Sequence, residues 1–394
     1  MTPAARVQAA IELLDLIIAA ARDDGAAADT LIARYFKDRR YAGSKDRRAV
    51  RELVYRAIRR HGERPDSGRA AMLGLAGEDA ALATLFDGSP HGPAPIQPDE
   101  LAAPASLLPA WLAPELAAPV DAAEQAALLS RAPLHLRINA LKARRDDLIG
   151  HWPDAEPLAH LPHGLALPAG TDVERDPLLQ AGQIEVQDGG SQHIARACAA
   201  RPGMTVLDLC AGGGGKTLAL AAEMAGQGRL IATDTARDRL ARLTPRAQRA
   251  GADGLIETLL LDPGREAERL APFAGQCDVV LVDAPCSGAG TWRRNPEARW
   301  RLTSARLDRV AALQAHLLAV AAPLVKPGGR LVYAVCSLFD REGRGQIERF
   351  ASAHPSWKAL RESPVGRPWG EGTLLTPYRD GTDGFFFAAL EKPC

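Results

Sequence analysis

The sequence predicts an α/β protein, in which a doubly wound domain with a parallel sheet follows an all-helical domain. Short apolar strands alternate with helices from residue 204 onward, a pattern typical of a parallel sheet covered by helices. The N-terminal third has helical periodicity and gives no strand signal before residue 134. With 394 residues, the chain is long for one ordinary domain and comfortable for two.

The predicted domain boundary follows residue 128. The helical domain at 1–128 includes a Pro-rich linker at about 88–109, which should be extended and irregular. The second domain, at 129–394, is divided into an N-terminal extension at 129–200 and an α/β core at 201–394. No stretch approaches the apolar run that spans a membrane, and the amphipathic N-terminus is not a secretory signal. We therefore expect a cytoplasmic protein.

Amphipathic periodicity predicts the helices of the first domain. They are expected at 6–22, at 28–36, from Ser44 as an N-cap, at 67–75, at 78–86, around Trp111 and at 121–130. The net charge of the chain is zero, but residues 31–64 hold twelve Lys or Arg against four Asp or Glu. Such an excess is of the kind that meets phosphate, although a charge run alone is more often a solvated helix face.

The core is predicted as alternating strands and helices. Its strands are expected at 205–210, 229–234, 255–262, 278–283 and 330–335, and its helices at 217–225, 236–250 and 304–322. The segment 383–390, DGFFFAAL, is interpreted as a buried strand that closes one edge of the sheet.

A glycine-rich loop follows the first core strand. The segment Leu207–Thr217, LDLCAGGGGKT, ends a strand and begins a helix, where ligands of such sheets bind. Its glycine spacing is neither that of a P-loop nor the GxGxxG of a nicotinamide dehydrogenase. Asp234, Asp262 and Asp283 end the next three strands. One such Asp would be a helix cap, but three at successive strand ends indicate a nucleoside pocket.

Two cysteines emerge at neighbouring strand ends: Cys286 within DAPCSGAG and Cys336 within YAVCSL. None of the six cysteines forms a CxxC pair and no His cluster accompanies them, so neither zinc nor another metal is expected. A thiolate that adds to C6 of cytosine makes C5 nucleophilic, and Asp283 is placed to assist at N3. Lys216 is a candidate for lowering the thiol pKa. The alternative is that both cysteines are buried packing residues.

These motifs resemble those of class I S-adenosylmethionine methyltransferases and, among them, the RsmB/Nol1/Sun family of RNA cytosine-5 methyltransferases. The resemblance implies a Rossmann-like core in which Cys336 attacks the base and Cys286 assists release. It also implies a cofactor site for S-adenosylmethionine, with Asp234 on the ribose and Asp262 near the adenine. The residues expected in that site are Cys210, Ala211, Gly212, Gly213, Gly214, Gly215, Lys216, Asp234, Asp262 and Asp283.

The resemblance extends beyond the core. His135–Lys142 and Val186–Gln192 are similar to family segments that precede the cofactor loop, and Phe36–Arg60 resembles the NusB-like, RNA-binding domain of the RsmB branch. Small-subunit rRNA is therefore the favoured substrate and RNA the expected partner, and a monomer is favoured. The chain departs from the family pattern where Gly212-Gly213 stands for Ala-Pro and where Val335 stands for Thr.

Three other functions compete with this interpretation: methylation of tRNA, non-catalytic RNA binding by the helical domain, and methylation of a small molecule. The two cysteines and Asp283 argue against a mere binder, and the basic helical domain argues against a small-molecule enzyme. Four arginines are expected to line the catalytic cleft: Arg293, Arg294, Arg299 and Arg301. Trp292 is either a stacking platform for a base or a core residue.

Overall fold

The computed structural model describes residues 1–23, 25–361 and 363–394. It forms two compact units. The helical unit comprises Met1–Ser130 together with Thr291–Ser304, and the α/β unit comprises Arg131–Gly290 together with Ala305–Cys394. The sequence prediction placed the whole of 129–394 in one domain, so it did not anticipate that the chain returns to the helical unit at Thr291.

The helical unit is built mainly from the first three helices and α4. Its helices are α1 (Pro3–Arg22), α2 (Ala28–Asp38), α3 (Ser44–Arg60), α4 (Gly68–Ala76), α5 (Ala80–Ala83) and α6 (Ala122–Ala127), with 3₁₀ helices at Ala110–Glu115 and Pro296–Arg301. The helix predicted at 78–86 is shortened to α5 because the Asp79 side chain caps it by accepting from the Leu82 N–H. Ser44 is the first helical residue rather than the cap, since the extended Gly43 already occupies the N-cap position.

The returning segment Thr291–Ser304 completes this unit by binding the ends of three helices. Arg301 donates to the backbone oxygens of Ala20, Gly25 and Ala26 just at and beyond the end of α1. The Glu297 carboxylate accepts from the Ala28 N–H at the start of α2. Helix ends leave backbone groups without intrahelical partners, and the charges of these side chains match the helix dipoles.

The same segment also closes α3. Arg299, which is fully buried, donates to the backbone oxygens of Ile58, Arg59 and His61 at the C-terminal end of that helix. Trp300 lies in the apolar core of the unit, and its indole N–H donates to His61 O at 2.8 Å. The expectation that Arg299 and Arg301 line the catalytic cleft is therefore wrong, because both guanidinium groups are occupied by helix carbonyls.

The N-terminal part of the α/β unit is a small antiparallel sheet. It has four strands in the order β2-β3-β1-β4. Its elements are β1 (Leu134–Ile138), α7 (Arg145–Leu148), β2 (Glu156–Pro157), β3 (Gly164–Leu167), α8 (Pro177–Gln180) and β4 (Ile184–Val186), followed by α9 (Gly189–Ala197). This sheet has its own apolar cluster around Leu136, Ile138 and Leu165.

The core is a mixed sheet of nine strands in which five parallel strands carry the site. Its first half contains β5 (Thr205–Asp208), α10 (Gly215–Glu223), β6 (Arg229–Asp234), α11 (Arg237–Leu240), α12 (Leu243–Ala250), β7 (Ile256–Leu260) and α13 (Glu266–Leu270). Its second half contains β8 (Cys277–Asp283), α14 (Ser304–Ala321), β9 (Val325–Val335), α15 (Arg344–Ala353), β10 (Lys358–Leu360), β11 (Arg367–Trp369), β12 (Gly372–Leu375), α16 (Pro377–Asp380) and β13 (Phe385–Glu391). The predicted α/β class with a parallel sheet is confirmed.

The strand order creates a switch point in the middle of the sheet. The order is β11-β12-β13-β9-β8-β5-β6-β7, with β10 paired to β13. The chain runs outward from β5 to β7 and then returns to β8 on the other side of β5. Crevices at such reversals, outside the carboxyl ends of the strands, are where ligands of open α/β sheets bind.

Two element predictions for the core are corrected by the structure. The helix expected at 236–250 is two helices, α11 and α12, because Pro245 has no N–H and its ring disfavours a continuous helix through Ala241. The strand β13 does not close an edge but lies between β9 and β12. The continuous apolar run FFFAAL in β13 is typical of a strand that has neighbours on both sides and is covered on both faces.

One helical stretch, Ser304–Leu324, is long and apolar enough to cross a membrane by length and composition alone. The expectation that no stretch approaches this criterion is therefore wrong. About 44% of the stretch is buried in the structure, and Gln314 within it donates to the Pro285 carbonyl. Core helices pass the same test, and this one packs in the α/β unit.

Candidate active site

A cavity of about 590 Å³ lies at the switch point. Loops from four parallel strands and the glycine loop line it, in a volume suited to a nucleotide-sized ligand. Its lining includes Cys210, Ala211, Gly212, Gly213, Asp234, Asp283, Cys286 and Cys336. The structure thus brings most of the predicted cofactor residues and both predicted cysteines to one cavity.

The glycine loop is shaped by two left-handed residues. Gly212 has φ +55° and Gly214 has φ +84°, a region that residues with a β-carbon rarely adopt. A β-carbon on Gly214 would also lie 2.1 Å from Leu243 Cδ1. Gly215 begins α10 and has no atom within 4 Å of an added β-carbon, so only part of the glycine run is required by backbone geometry.

The acidic strand ends differ in their roles. Asp234 ends β6, lines the cavity and accepts from the backbone N–H groups of Gly212 and Ala236 at 2.9 and 2.7 Å. It therefore both shapes the loop and caps the following turn. Asp262 lies two residues beyond β7 and is exposed; its neighbours Leu261 and Pro263 line the cavity and Asp262 itself does not. The role of Asp262 near the adenine stays a prediction.

The two cysteines are brought together by strand register. Asp283 of β8 pairs with Ala334 of β9 in a parallel ladder, so the residues that follow leave the sheet side by side. The Cys286 and Cys336 sulfurs are 3.2 Å apart. The Gly290 N–H donates to the Cys336 carbonyl at 3.0 Å, which ties the first loop to the second.

The surroundings of the two sulfurs raise the pKa values of Cys286 and Lys216. The hydrogen bond with Cys336, together with burial, raises the pKa of the Cys286 thiol well above its usual range. Burial alone would lower the pKa of Lys216, but the charge and hydrogen bond of Asp283 outweigh it and the pKa is raised. Lys216 Nζ lies 2.7 Å from Asp283 Oδ2. The raised pKa keeps the Cys286 thiol protonated at neutral pH.

A buried carboxyl beneath the glycine loop was missed by sequence reasoning. Asp208 ends β5 and is 1% exposed. Burial raises its pKa to about 7, and the charge of Asp283 adds to the effect. Thr217 Oγ1 donates to it at 2.7 Å. The sequence contains a pattern that could have identified it. Asp208 stands at the end of a strand immediately before the loop, as Asp234 and Asp283 stand at the ends of later strands.

The two segments that precede the core support the loop from outside. Gln187 accepts from Arg137 Nε at 2.6 Å and donates to the Gly215 carbonyl at 3.1 Å. Asn139 donates to the carbonyls of Gly182 and Ala250. Arg137 and Asn139 come from His135–Lys142 and Gln187 from Val186–Gln192, so both segments belong to the scaffold of the cavity.

Two other residues singled out in the sequence, Trp292 and Arg293, are buried. Trp292 is 1% exposed, which leaves its ring unavailable for stacking on a base, so the alternative of a core residue holds. Arg293 is 5% exposed. Cys198 and Cys277 are buried, as expected for small apolar residues, and Cys394 is exposed.

Comparison with known proteins finds one family model that matches half of the chain. The model for 16S rRNA methyltransferase RsmB/F matches residues 195–391. A probable ribosomal RNA small subunit methyltransferase B from Synechocystis is 38% identical over 273 residues, which are 66% of this chain and 60% of that protein. The ribosomal RNA small subunit methyltransferase B of Sodalis glossinidius is 35% identical over 291 residues, 73% of this chain and 64% of that protein.

Solved structures show the same fold. The crystal structure of PH0851 superposes with a TM-score of 0.76 over 100% of this chain and 99% of that chain, at 24% identity. A methyltransferase homologue from Pyrococcus horikoshii superposes with a TM-score of 0.60 at 25% identity, over 71% of this chain and 92% of that chain. The matched region of the chain spans less than two thirds of the length of the first curated relatives.

Proposed function

Because the chain belongs to the 16S rRNA methyltransferase RsmB/F family, we propose that it transfers a methyl group from S-adenosylmethionine to C5 of a cytosine in RNA. The observation that carries this proposal is the pair of cysteine sulfurs, 3.2 Å apart, in the cavity that the glycine loop also lines. A methyl transfer to oxygen or nitrogen has no need of two thiols beside the donor. Attack on a pyrimidine ring carbon requires a nucleophile of this kind.

The cavity fits the proposed methyl donor. Gly212 and Gly213 line the cavity without β-carbons, where a charged amino acid moiety would need close backbone approach. Asp234 is 6% exposed and offers a carboxylate to ribose hydroxyls. Cys210, Ala211 and Gly213 complete the loop wall. When bound, S-adenosylmethionine supplies an electrophilic methyl group on a sulfonium sulfur.

In the proposed reaction Cys336 forms and later breaks the covalent bond to the base. Its thiolate adds to C6, which gives C5 the character of an enamine carbon and enables it to accept the methyl group. The Lys216–Asp283 pair lies beside it, with Asp283 30% exposed toward the cavity. We assign this pair to the N3 edge of the ring, where a proton or hydrogen bond stabilises the adduct.

The second cysteine assists release. Cys286 keeps its proton because its pKa is raised, and it lies within hydrogen-bonding distance of the Cys336 sulfur. Solvent water takes the C5 proton, the electrons of the C5–H bond form the C5–C6 double bond, and the S–C6 bond breaks with its electron pair on Cys336, which departs as a thiolate. An S–H donor beside that sulfur stabilises the departing charge, so loss of Cys286 slows elimination more than addition.

The proposed substrate is small-subunit rRNA, which the names of the relatives indicate. The basic segment 31–64 supports an RNA substrate. In it, Arg48 is exposed, while Arg51 pairs with Asp29 and Arg47 donates to the Ala42 carbonyl. Phosphate contacts of such a surface position RNA without reading its sequence. The reacting cytosine must be unpaired or flipped out to reach the cavity.

The test combines mapping with two matched variants. In RNA from cells that lack the protein, we expect loss of one 5-methylcytosine from 16S rRNA; loss from tRNA instead would assign the other substrate class. With purified enzyme, Cys336→Ala should abolish transfer and form no adduct. Cys286→Ala should accumulate a protein–RNA adduct that survives denaturation. Exchange of these two outcomes would contradict the assigned roles.

A further inference from the structure

Each of the two cysteines is followed by a serine, and both serines bind one carboxylate. Ser287 Oγ and Ser337 Oγ each donate to Glu342 Oε2, both at 2.5 Å. The two hydroxyl oxygens are 3.1 Å apart. The loops that carry the sulfurs are therefore joined one residue beyond each sulfur, through a single oxygen atom.

The second oxygen of Glu342 binds the first loop again. Oε1 accepts from the Ser287 backbone N–H at 2.8 Å and from Gln314 Nε2 at 3.0 Å. Gln314 Nε2 also donates to the carbonyl of Pro285, the residue before Cys286. Glu342 is fully buried, and a carboxylate can only accept, so these four neutral donors offset the cost of removing it from water.

Glu342 is itself fixed to the strand that leads to Cys336. The hydroxyl of Tyr333, a buried residue of β9, donates to the Glu342 carbonyl at 2.6 Å. The Glu342 N–H donates to the Phe339 carbonyl at 3.1 Å, and the Phe339 N–H donates to Ser337 Oγ at 3.2 Å. The turn 337–342 is thus held by its own hydrogen bonds and is attached to the sheet through Tyr333. These bonds fix the position of Glu342.

We propose that Glu342 is a positioning residue that holds the two cysteine loops in register, so that the sulfurs of Cys286 and Cys336 meet across one pyrimidine. It does not line the cofactor cavity, and its carboxylate accepts from Ser287, Ser337 and Gln314. Its charge contributes to the raised pKa of the Cys286 thiol. Its relevance to methyl transfer rests on the proposed function, but its control of the sulfur–sulfur distance does not. Misplacement of reacting groups by about 1 Å can cost on the order of 100-fold in rate.

The test compares Glu342→Ala with Glu342→Gln. Alanine leaves the two hydroxyls, the Ser287 N–H and the Gln314 amide without their acceptor. Glutamine keeps one acceptor oxygen, and its amide can donate to the serine hydroxyls, which then accept. For Glu342→Ala we expect kcat to fall about 100-fold while the KM for S-adenosylmethionine changes less than about threefold. For Glu342→Gln we expect most of kcat to be retained.

A second readout needs no RNA. Diamide oxidises two adjacent thiols to a disulfide, each thiol losing one hydrogen to the reagent, and peptide mass spectrometry follows formation of the Cys286–Cys336 bond. We expect Glu342→Ala to slow this bond by at least about tenfold, given the sensitivity to 1 Å displacements. Should that variant fail to fold, the double variant Ser287→Ala, Ser337→Ala removes the two hydroxyl bonds and should slow the same oxidation.

The control is Asp278→Ala, at the opposite end of β8. Asp278 accepts from the Thr205 N–H and pairs with Lys326, so its loss weakens the same strand without touching either cysteine loop. It should lower Tm and leave the oxidation rate unchanged. Equal oxidation rates in Glu342→Gln and Glu342→Ala, which both lack the charge that raises the Cys286 pKa, would overturn the positioning role. Absence of RNA methylation by wild type, with a slowed oxidation in Glu342→Ala, would instead overturn the proposed function alone.

Discussion

At the scale of single residues, the site is organised by carboxylates as much as by thiols. Asp283 holds Lys216, Asp234 holds the backbone of the glycine loop and Glu342 holds both serines. Asp208 differs from these three, because it is buried with a pKa of about 7 and one of its oxygens has no hydrogen-bond partner in the described structure. Its ionisation therefore costs stability rather than providing it.

The first prediction concerns Asp208→Asn. A carboxyl whose pKa is raised on folding contributes stability at low pH, and this contribution is lost as pH rises through about 7. Asparagine stays neutral, so the stability of the variant relative to wild type should increase between pH 5 and pH 8.5. Inside this window the two states differ in ionisation over about 2 pH units, from pH 5 to about 7, which sets an upper limit of about 3 kcal/mol on that increase. Denaturant unfolding at several pH values measures it.

Asp278→Asn serves as the control for Asp208→Asn. Burial would raise the pKa of Asp278, but the bonds from Lys326 and the Thr205 N–H outweigh this effect and lower it. Its contribution to stability is therefore present above its ordinary pKa and lost only at more acidic pH. The stability difference between this variant and wild type should stay constant from pH 5 to pH 8.5. A constant difference for Asp208→Asn as well would show that Asp208 is ionised at neutral pH without a penalty.

At the scale of elements, the decisive junction is the turn from β5 into α10. Gly214 is the N-cap of α10 and adopts a left-handed conformation, with no side chain available to cap the helix. The Gln187 amide, from the neighbouring segment, donates to the carbonyl of Gly215, the first residue of the helix, and so holds the junction without capping its N–H groups. The junction thus depends on backbone conformation and on a partner about thirty residues earlier in the chain.

The second prediction compares Gly214→Ala with Gly215→Ala. Alanine at 214 must adopt a positive φ and displace Leu243, so we expect the free energy of unfolding to fall by about 2 kcal/mol or more. The affinity for S-adenosylmethionine should fall with it. Alanine at 215 enters open space in a helical position and should be neutral or slightly stabilising. Urea denaturation and calorimetric titration check both, and equal losses would show that the loop needs glycine throughout.

The elements show why some features could be predicted and others could not. The parallel core and the neighbouring exits of Cys286 and Cys336 follow from local patterns, since strand ends are visible in a sequence. The position of β13 between β9 and β12 could not be predicted from its own residues. A strand covered on both faces has the same apolar sequence at the edge of a sheet and in its interior. The hydrogen bonds of Glu342 were missed for the same reason, since they join residues separated by up to 55 positions.

At the scale of the whole molecule, neither unit is one continuous stretch of chain. The segment Thr291–Ser304 belongs to the helical unit, where Arg301, Glu297 and Arg299 bind the ends of α1, α2 and α3. Sequence reasoning missed this arrangement because basic residues beside a catalytic motif suggest contact with substrate. The partners of Arg299 and Arg301 include backbone carbonyls more than 230 positions away.

The third prediction concerns a fragment of residues 131–394. Without Met1–Ser130, the buried Arg299 and Trp300 lose their partners, and we expect the fragment to aggregate and to unfold at lower temperature than the full chain. A matched fragment with Thr291–Ser304 replaced by a short Gly/Ser linker should recover much of the solubility. Size-exclusion chromatography and thermal unfolding compare the two. Identical behaviour of both fragments would contradict the structural role of the segment.

The capping segment also bears on biosynthesis. On the ribosome, the first 130 residues emerge before Trp300 and Arg299 have been translated, so the nascent bundle waits with three uncapped helix ends and an incomplete core. At about 5–20 residues per second, the missing piece follows roughly 10–35 s later. During that interval chaperones can bind the exposed apolar faces of the helices. The helical unit completes its folding only after β8 and the Cys286 loop have been synthesised.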